Sequence, residues 1–231
     1  MVYVRYMRED FAGRIFVLRV DSTDIGSSQG TLVADLAFLA EHHVRPIIVA
    51  PNAAIASNWV RTLNRNANVA VGLSGADAAL LPAAHRDHIG TVQTGILATL
   101  TGAGYVPVIE PTAFALSGDE IAVGADEVAS AIASATDAAR AIFFHESGGV
   151  TDPQTQAFLS ELTPAEALTL AENTDLEATL RAAMRAAAHG VRAGVAAAQI
   201  VDGRIAHATI VELLTTQHLG TQVTGSILFA A

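Results

Sequence analysis

The chain of 231 residues is long enough for one large α/β domain or two small ones. Its formal net charge of −10 disfavours nucleic acids and anionic lipids as partners, and its lack of cysteine excludes disulfides and thiolate metal sites. The first residues, MVYVRYMRED, have no apolar segment typical of a secretory signal, and the apolar runs stop short of the roughly 20 residues that a membrane span needs, so we expect a cytoplasmic protein.

The basic residues have an unusual composition. All 13 are arginines, and the chain contains no lysine. A GC-rich genome drifts towards Arg and Ala, which explains a lysine-free surface, but such a bias does not normally remove a lysine on which catalysis depends. The absence is therefore informative wherever a reaction requires an ammonium group.

Apolar β-rich runs alternate with Ala-rich helical stretches in the first half of the chain. This alternation favours a mainly parallel sheet covered by helices. In chain order we predict a strand in IFVLRV, a helix in GTLVADLAFLAEHH, a strand in VRPIIVA, a helix in AAIASNWVRTLNR, a short strand and turn in NVAVGLSG, a Gly-capped helix in TGILATLTGAG and a strand in YVPVIEP.

The second half continues the alternation after a hairpin predicted from the Ser-Gly-Asp turn of FALSGDEIAV. A capping box is predicted at Thr163, with Pro164 at the first helical position and Glu166 at the third. The remaining predictions are helices in ADEVASAIASATDAA, LTPAEALTLAENT, DLEATLRAAMRAAAHGV and HATIVELLT, and strands in RAIFFHES, AGVAAAQIV and GTQVTGSIL. The whole pattern predicts one three-layer αβα sandwich around an open, mainly parallel sheet.

Two local patterns have a functional interpretation and a structural one. His85 and His88, with Asp87 between them, could form half of a metal site, but no third ligand has suitable spacing and a solvated loop is favoured. Gly72, Ser74 and Gly75 lie at a predicted helix start, which either binds an anion or is a capped end. No nucleophile elbow or dinucleotide fingerprint occurs.

Several segments occur in an order and at a spacing that identify a family. They are GAGYVPVIEP, VGADEVASAIA, SELTPAEA, IVDGRIAHATIVELL and LGTQV, with RPIIVA and VGLSGADAALL upstream. Together they resemble acetylglutamate kinases of the amino acid kinase superfamily. That family phosphorylates the side-chain carboxylate of N-acetylglutamate with ATP and Mg²⁺. The resemblance implies a carbamate-kinase-like fold in a single domain over 1–231, with lobes of about 1–138 and 139–231, and a dimer or a higher oligomer.

The phosphate loops depart from the family pattern. The family's first strand ends in a Lys, which is followed by one further residue and two glycines, and the matching residues here are Arg19, Asp21 and Ser22. Arg19 keeps a positive charge, but its planar fork differs from a point-charge ammonium. After the second strand, APNAA replaces a His and three glycines, and Pro51 has no N–H to donate.

The remaining catalytic positions are also altered. The family's substrate-binding Asn corresponds to Ala122, whereas the lysine-orienting Asp survives as Asp126. The second catalytic Lys corresponds to Thr179, and a Thr-Asp pair beside the nucleotide is replaced by His145 and Glu146. The substrate-lid segment between NWVRTLNR and VGLSG is shorter than in the family, and Arg61 does not align securely with the family's substrate-binding arginine.

The tail matches the family more closely, at His207, Glu212 and Gly220. In arginine-inhibited relatives this neighbourhood contributes to an effector site, so these residues either retain ligand binding or connect the last helix to the last strand.

Two functions remain open, and with them whether the chain is an enzyme. The leading hypothesis is a protein that has lost phosphoryl transfer and acts as a ligand-binding or regulatory subunit in amino-acid metabolism, with no cofactor expected. It would bind an amino acid and form a homo-oligomer or pair with an active kinase. The alternative is an active ATP-dependent kinase using Mg-ATP, with Arg19 and Asp126 as catalytic remnants.

Overall fold

The central sheet of the computed structural model, which describes residues 11–20, 29–65, 68–85, 88–214 and 219–225, has eight strands. The strands of this sheet are β1 (Ile15–Arg19), β2 (Arg45–Val49), β3 (Ala70–Leu73), β6 (Val106–Ile109), β9 (Arg140–Phe144), β12 (Glu161–Leu162), β13 (Ala197–Val201) and β14 (Thr221–Thr224). Their spatial order is β12-β14-β13-β9-β1-β2-β6-β3.

Neighbouring strands in this sheet run parallel, except that β14 is antiparallel to β13. Within the described residues, three two-stranded ribbons accompany it. They pair β4 (Ala83–His85) with β5 (His88–Ile89), β7 (Thr112–Phe114) with β8 (Glu120–Ala122), and β10 (Val150–Thr151) with β11 (Phe158–Leu159). The predicted open, mainly parallel sheet is confirmed.

Helices cover both faces of the sheet. They are α1 (Gln29–Glu41), α2 (Ala53–Asn64), α3 (Gly95–Gly102), α4 (Ala125–Ala135), α5 (Pro164–Leu170), α6 (Ala178–Arg192) and α7 (Ala208–Leu214). Side chains alternate between faces along a strand, so Phe16 and Leu18 of β1 pack in the core that contains α1 and α2. Val17, between them, packs in the opposite core with α3, α4 and α6. The result is the three-layer αβα arrangement.

Two locally encoded features were predicted correctly. The Ser-Gly-Asp turn joins β7 to β8 as an antiparallel hairpin. At the start of α5 the Thr163 hydroxyl accepts from the backbone N–H of Glu166 (3.2 Å), and the Glu166 carboxylate accepts from that of Thr163 (2.8 Å). The backbone N–H of Thr163, and then its hydroxyl, lower the pKa of Glu166.

Two local predictions were wrong. His85 and His88 pair across the β4–β5 ribbon and do not lie in a loop or on a helix, while Asp87 is outside the described residues. The residues after Gly75 form only a short 3₁₀ turn (Asp77–Ala79), because Ala78 and Ala79 have φ values of +52° and +53° that an α-helix does not tolerate.

None of the described helices combines the length and the apolar character that a bilayer crossing demands.

Candidate functional site

The candidate site lies at the carboxyl edge of the sheet, where the direction of strand addition changes. β1 sits between β2, which follows it in the chain, and β9, which comes much later. Parallel α/β sheets bind ligands in the crevice outside the carboxyl ends of strands at such a switch point. Arg19 is the last residue of β1, so the fold carries its guanidinium to this crevice.

The two candidate catalytic residues meet at this edge. Arg19 Nε lies 2.9 Å from Asp126 Oδ1, and the two side chains are 14% and 17% exposed. Asp126 is in the first turn of α4, where the helix dipole favours a carboxylate. The fold therefore unites two residues that are 107 positions apart, and in doing so balances the charge of the guanidinium. Asp21 and Ser22 lie outside the described residues.

A second polar group links β9 to α6. His145, buried just after β9, has its Nε2 atom 2.9 Å from Thr179 Oγ1, and the Thr179 hydroxyl donates to Glu177 Oε1 (2.8 Å). His145 Nδ1 accepts from the backbone N–H of Ser147 at 3.1 Å. The Ser147 hydroxyl also lies 2.9 Å from His145 Nδ1 and donates to the carbonyl of Gly149 (2.8 Å). At the position that the resemblance assigns to the second lysine, a hydroxyl is held between a carboxylate and an imidazole.

Three of the described helices, α2, α4 and α6, have acidic or polar residues at N-termini near this edge. The side chain of Asn52 accepts from the N–H of Ile55 at the start of α2 (3.0 Å). Asp126 and Glu127 occupy the first turn of α4, and Glu177 is the N-cap of α6. A helix N-terminus binds an anion through free N–H groups and its dipole. Carboxylates at two of these three ends oppose the approach of a polyphosphate.

An arginine that the sequence analysis missed joins β9 to β13. Arg204 donates from Nε and Nη2 to the two carboxylate oxygens of Asp202, at 2.9 Å each, and Nη2 also donates to the carbonyl of Glu146. Burial opposes the charge of Asp202, but the hydrogen bonds from Arg204 outweigh it and lower the pKa of this carboxyl. The turn sequence VDGR was the available signal, since its carboxylate also accepts from the N–H of Arg204.

The three glycine-loop candidates have separate roles. Gly72 and Ser74 line a cavity of about 430 Å³ between α2 and the ends of β3 and β6. Gly75 does not line it, and a Cβ atom there would lie 1.8 Å from the carbonyl oxygen of Thr112. Close packing of two backbones therefore explains Gly75, whereas Gly72 and Ser74 are available to a ligand.

The three tail candidates do not line a common cavity among those found in the described part of the chain. His207 Nδ1 lies 2.6 Å from Oδ1 of Asp35 on α1, and the carboxylate of Glu212 accepts from the N–H of Leu219 (2.8 Å). A Cβ atom on Gly220 would lie 2.1 Å from the carbonyl oxygen of Ile200. Each residue thus has a structural role in attaching α7 or β14, and the effector function stays a prediction.

The segment in which the resemblance places a substrate lid is short in the structure as well. Helix α2 ends at Asn64 and β3 begins at Ala70, so only five residues connect them. The larger cavity near the site, about 830 Å³, lies between α4, α6 and residues 88–92 and is bordered by Asp126. Among the described residues no group of three or more His, Asp or Glu side chains is placed to hold a metal ion.

Comparisons with known proteins identify the family of the chain. Residues 50–202 match the model of the amino acid kinase family. The chain is 34% identical over 171 residues to an acetylglutamate kinase of Campylobacter curvus, covering 71% of this chain and 60% of that protein. It is 26% identical over 267 aligned positions to the acetylglutamate kinase of Thermosynechococcus vestitus, covering 94% and 90%.

Solved structures with the same fold have low sequence identity. N-acetylglutamate synthase from Neisseria gonorrhoeae, in complex with coenzyme A and N-acetyl-glutamate, superposes with a TM-score of 0.78 at 19% identity, over 98% of this chain and 62% of that one. Carbamate kinase from Giardia lamblia bound to AMP-PNP gives 0.66 at 11%, over 93% and 99%. These two likenesses concern the fold alone.

The chain spans about 60% of the length of several acetylglutamate kinases that it matches. The family model nevertheless covers about two thirds of its residues, and the identity to these relatives reaches 34%. The chain belongs to the amino acid kinase family, as an acetylglutamate-kinase-like member.

Proposed function

We propose that this chain binds a small ligand or a partner subunit and does not transfer phosphoryl groups, in a role related to amino-acid metabolism. The observation that carries the proposal is the Arg19–Asp126 ion pair. Arg19 is the one cation that β1 places at the switch-point crevice, and it is already paired with a carboxylate. A guanidinium held by a carboxylate at 2.9 Å has much of its charge balanced before any phosphate arrives.

The balanced charge of Arg19 matters because of the chemistry of phosphoryl transfer. Catalysis in that reaction depends on positioning and on positive charge around the transferred group, and a single arginine can contribute roughly 10³–10⁵ in rate. Thr179 offers a neutral hydroxyl that already donates to Glu177, and no lysine exists elsewhere in the chain to replace it. Asp126, Glu127 and Glu177 add negative charge at the same edge.

A retained scaffold with altered catalytic positions suits a binding protein. The three-layer fold survives over nearly the whole chain, with a TM-score of 0.78 to a synthase that is described with N-acetyl-glutamate. We propose that the chain assembles as a homo-oligomer or pairs with an active kinase of its own family, and that the ligand is an amino acid or a related small acid. Neither role requires a cofactor.

The alternative is an active kinase that uses Mg-ATP to phosphorylate the carboxylate of N-acetylglutamate or a related amino acid. This function would rely on Arg19 for positive charge at the end of β1, where Asp126 already balances much of that charge. The observation that favours it is the similarity to relatives at 34% identity that are named acetylglutamate kinase.

Calorimetric titration of the purified chain with Mg-ATP separates the two functions. We expect no saturable heat, and no ADP release above background when N-acetylglutamate is added. Micromolar binding together with ADP release that disappears in Arg19→Met would overturn the proposal and establish the kinase. An Arg65→Met variant, on the exposed end of α2, controls for the general loss of a positive charge.

The oligomeric part is tested by size-exclusion chromatography, alone and mixed with the acetylglutamate kinase of the same genome. We expect a dimer or larger assembly in at least one of the two runs. A monomer in both would refute the subunit role and leave ligand binding as the function.

A further inference from the structure

The cavity beside α2 lies at the same carboxyl edge as the switch-point crevice, but beyond β2, at the ends of β6 and β3. Helix α2 supplies one wall with Ser57 and Arg61, and the segments after β3 and β6 supply another with Ser74, Asp77 and Glu110. Its volume of about 430 Å³ is within the range of small-molecule sites, roughly 300–1,000 Å³.

Opposite charges face this cavity without neutralising each other. Within the described parts of the chain, neither the Arg61 guanidinium nor the Glu110 carboxylate takes part in a hydrogen bond or an ion pair, and Asp77 is engaged only by the N–H of Ser74 (2.7 Å). At the same edge Arg19 forms an ion pair with Asp126, and Arg204 forms one with Asp202. The charged groups of this cavity differ, because they are not paired with each other. A molecule that carries a negative and a positive group would form an ion pair with each wall.

The negative wall has excess charge. Burial, followed by the nearby carboxylates of Glu120 and Asp77, raises the pKa of Glu110. A ligand cation in the cavity would relieve this repulsion. With Arg61 as +1 and Asp77 and Glu110 as −1 each, the lining has a net charge of −1, so it is complemented by a ligand of net charge +1.

The lining of the cavity also has an apolar part. Ala56, Val60 and Leu73 form it, and such a surface suits an aliphatic chain. Gly72 keeps space beside Val60, because a Cβ atom at position 72 would approach Val60 Cγ2 to 3.3 Å. A lining with both charges and an apolar part matches an amino acid with a cationic side chain.

We propose that this cavity binds a cationic amino acid, with its carboxylate on Arg61 and its cationic side chain against Glu110. The site is separate from Arg19 and Asp126, so the inference stands whether or not the chain transfers phosphoryl groups.

Calorimetry on the full chain tests the site with L-lysine and L-arginine as probes. We expect saturable binding of at least one of them, weakened tenfold or more by Arg61→Gln and changed less than twofold by Arg65→Gln, at the C-cap of the same helix. Glu110→Gln should weaken binding tenfold or more, whereas Glu120→Gln, on β8 outside the cavity, should change it less than threefold.

Two ligands that lack one group each check the assigned contacts. 1,5-Diaminopentane, which is lysine without its carboxylate, should bind at least tenfold more weakly than lysine and should not be weakened further by Arg61→Gln. L-Norleucine, which lacks the side-chain ammonium, should be insensitive to Glu110→Gln. Circular dichroism is used to check that each variant is folded. Glu110→Gln should raise the thermal midpoint of the ligand-free protein, because it relieves the repulsion from Glu120 and Asp77.

The inference is overturned by the absence of saturable binding of both amino acids up to about 10 mM, a concentration at which even a millimolar site is mostly filled. Equal effects of Arg61→Gln and Arg65→Gln would also overturn it, as would diaminopentane binding as tightly as lysine. Mg-ATP titration and ADP release, measured on the same samples, report separately on nucleotide binding and phosphoryl transfer, so failure of one proposal is distinguishable from failure of the other.

Discussion

Single side chains satisfy backbone groups that the sheet leaves open. Asn64, the last residue of α2, accepts from the N–H groups of Val69 (2.9 Å) and Ala70 (2.8 Å) and donates to the carbonyl of Ala70 (2.8 Å). Strand β3 is at the edge of the sheet, so these groups have no neighbouring strand on that side. The segment LNRNANV contains three asparagines, and nothing in its pattern identifies the one that performs this task.

Residue-level predictions were confirmed where the cause is local. Thr163 and Glu166 are three positions apart, and the capping geometry follows from that spacing alone. The contact between Arg19 and Asp126 depends on where α4 packs against β1, which no local rule supplies. The resemblance identified both residues as candidates. The ion pair between them forms because the fold brings them together.

The glycine at position 220 gives a direct test of a residue-level interpretation. Gly220→Ala places a Cβ atom 2.1 Å from the Ile200 carbonyl oxygen, so β14 must shift, and we expect a loss of unfolding free energy of about 3 kcal/mol or more. Gly102 is at the end of α3, and a Cβ atom built there has no neighbouring atom within 4 Å. Gly102→Ala should therefore stabilise the protein by about 0.5–1 kcal/mol. Urea denaturation measures both, and an unchanged stability of Gly220→Ala would leave ligand binding as the reason for the glycine.

At the scale of elements, the length of the apolar run decided what could be predicted. The central strands β1, β2, β9 and β13 have five residues each and nearly continuous burial, which the sequence shows as apolar runs. The ribbons β4–β5 and β10–β11 have strands of two or three residues, too few to show a period. They form because neighbouring elements bring their backbones together.

A buried carboxylate connects α1 to α7. Asp35 is 2% exposed and lies 2.6 Å from His207, which has a φ of +57° immediately before α7. Burial raises the pKa of Asp35, and the hydrogen bond and charge of His207 only partly oppose this. The folded state therefore binds this proton more tightly than the unfolded state does.

The sign of the resulting pH dependence follows from linkage. Because the pKa of Asp35 is raised in the folded state, its contribution to stability decreases as pH rises from its usual value of 3.8 to the raised value, and is constant above that. We expect Asp35→Asn to become progressively more stable relative to the wild type across this window, by about 1.4 kcal/mol for each unit of pKa difference. Urea unfolding between pH 4 and pH 7 measures this. Asp175→Asn, at an exposed position, is the control, and parallel profiles for Asp35→Asn and the wild type would contradict the expectation.

At the scale of the whole molecule, the two predicted lobes share one sheet. Strand β1 pairs with β2 from its own lobe and with β9 from the other. Helix α4, which precedes the boundary at about residue 138, packs on α6, which follows it. The Ser130 hydroxyl donates to the carbonyl of Ala186 (2.8 Å) and the Ser134 hydroxyl to that of Ala193 (3.0 Å). The alternation of strands and helices along the sequence indicated the three layers. The contacts between the two lobes depend instead on the order of strands in the sheet.

Shared contacts of this kind predict that the lobes unfold together. Trp59, the single tryptophan, is fully buried in α2 and reports on the first lobe, whereas far-ultraviolet circular dichroism reports on helices of both. We expect the two signals to give coincident urea transitions, since separating the lobes would break the β1–β9 pairing and uncover the α4–α6 contact. Ser130→Ala, which removes a buried hydrogen bond worth about 1 kcal/mol, should lower both midpoints equally. A tryptophan transition that precedes or follows the dichroism transition would show instead that each lobe folds as a unit of its own.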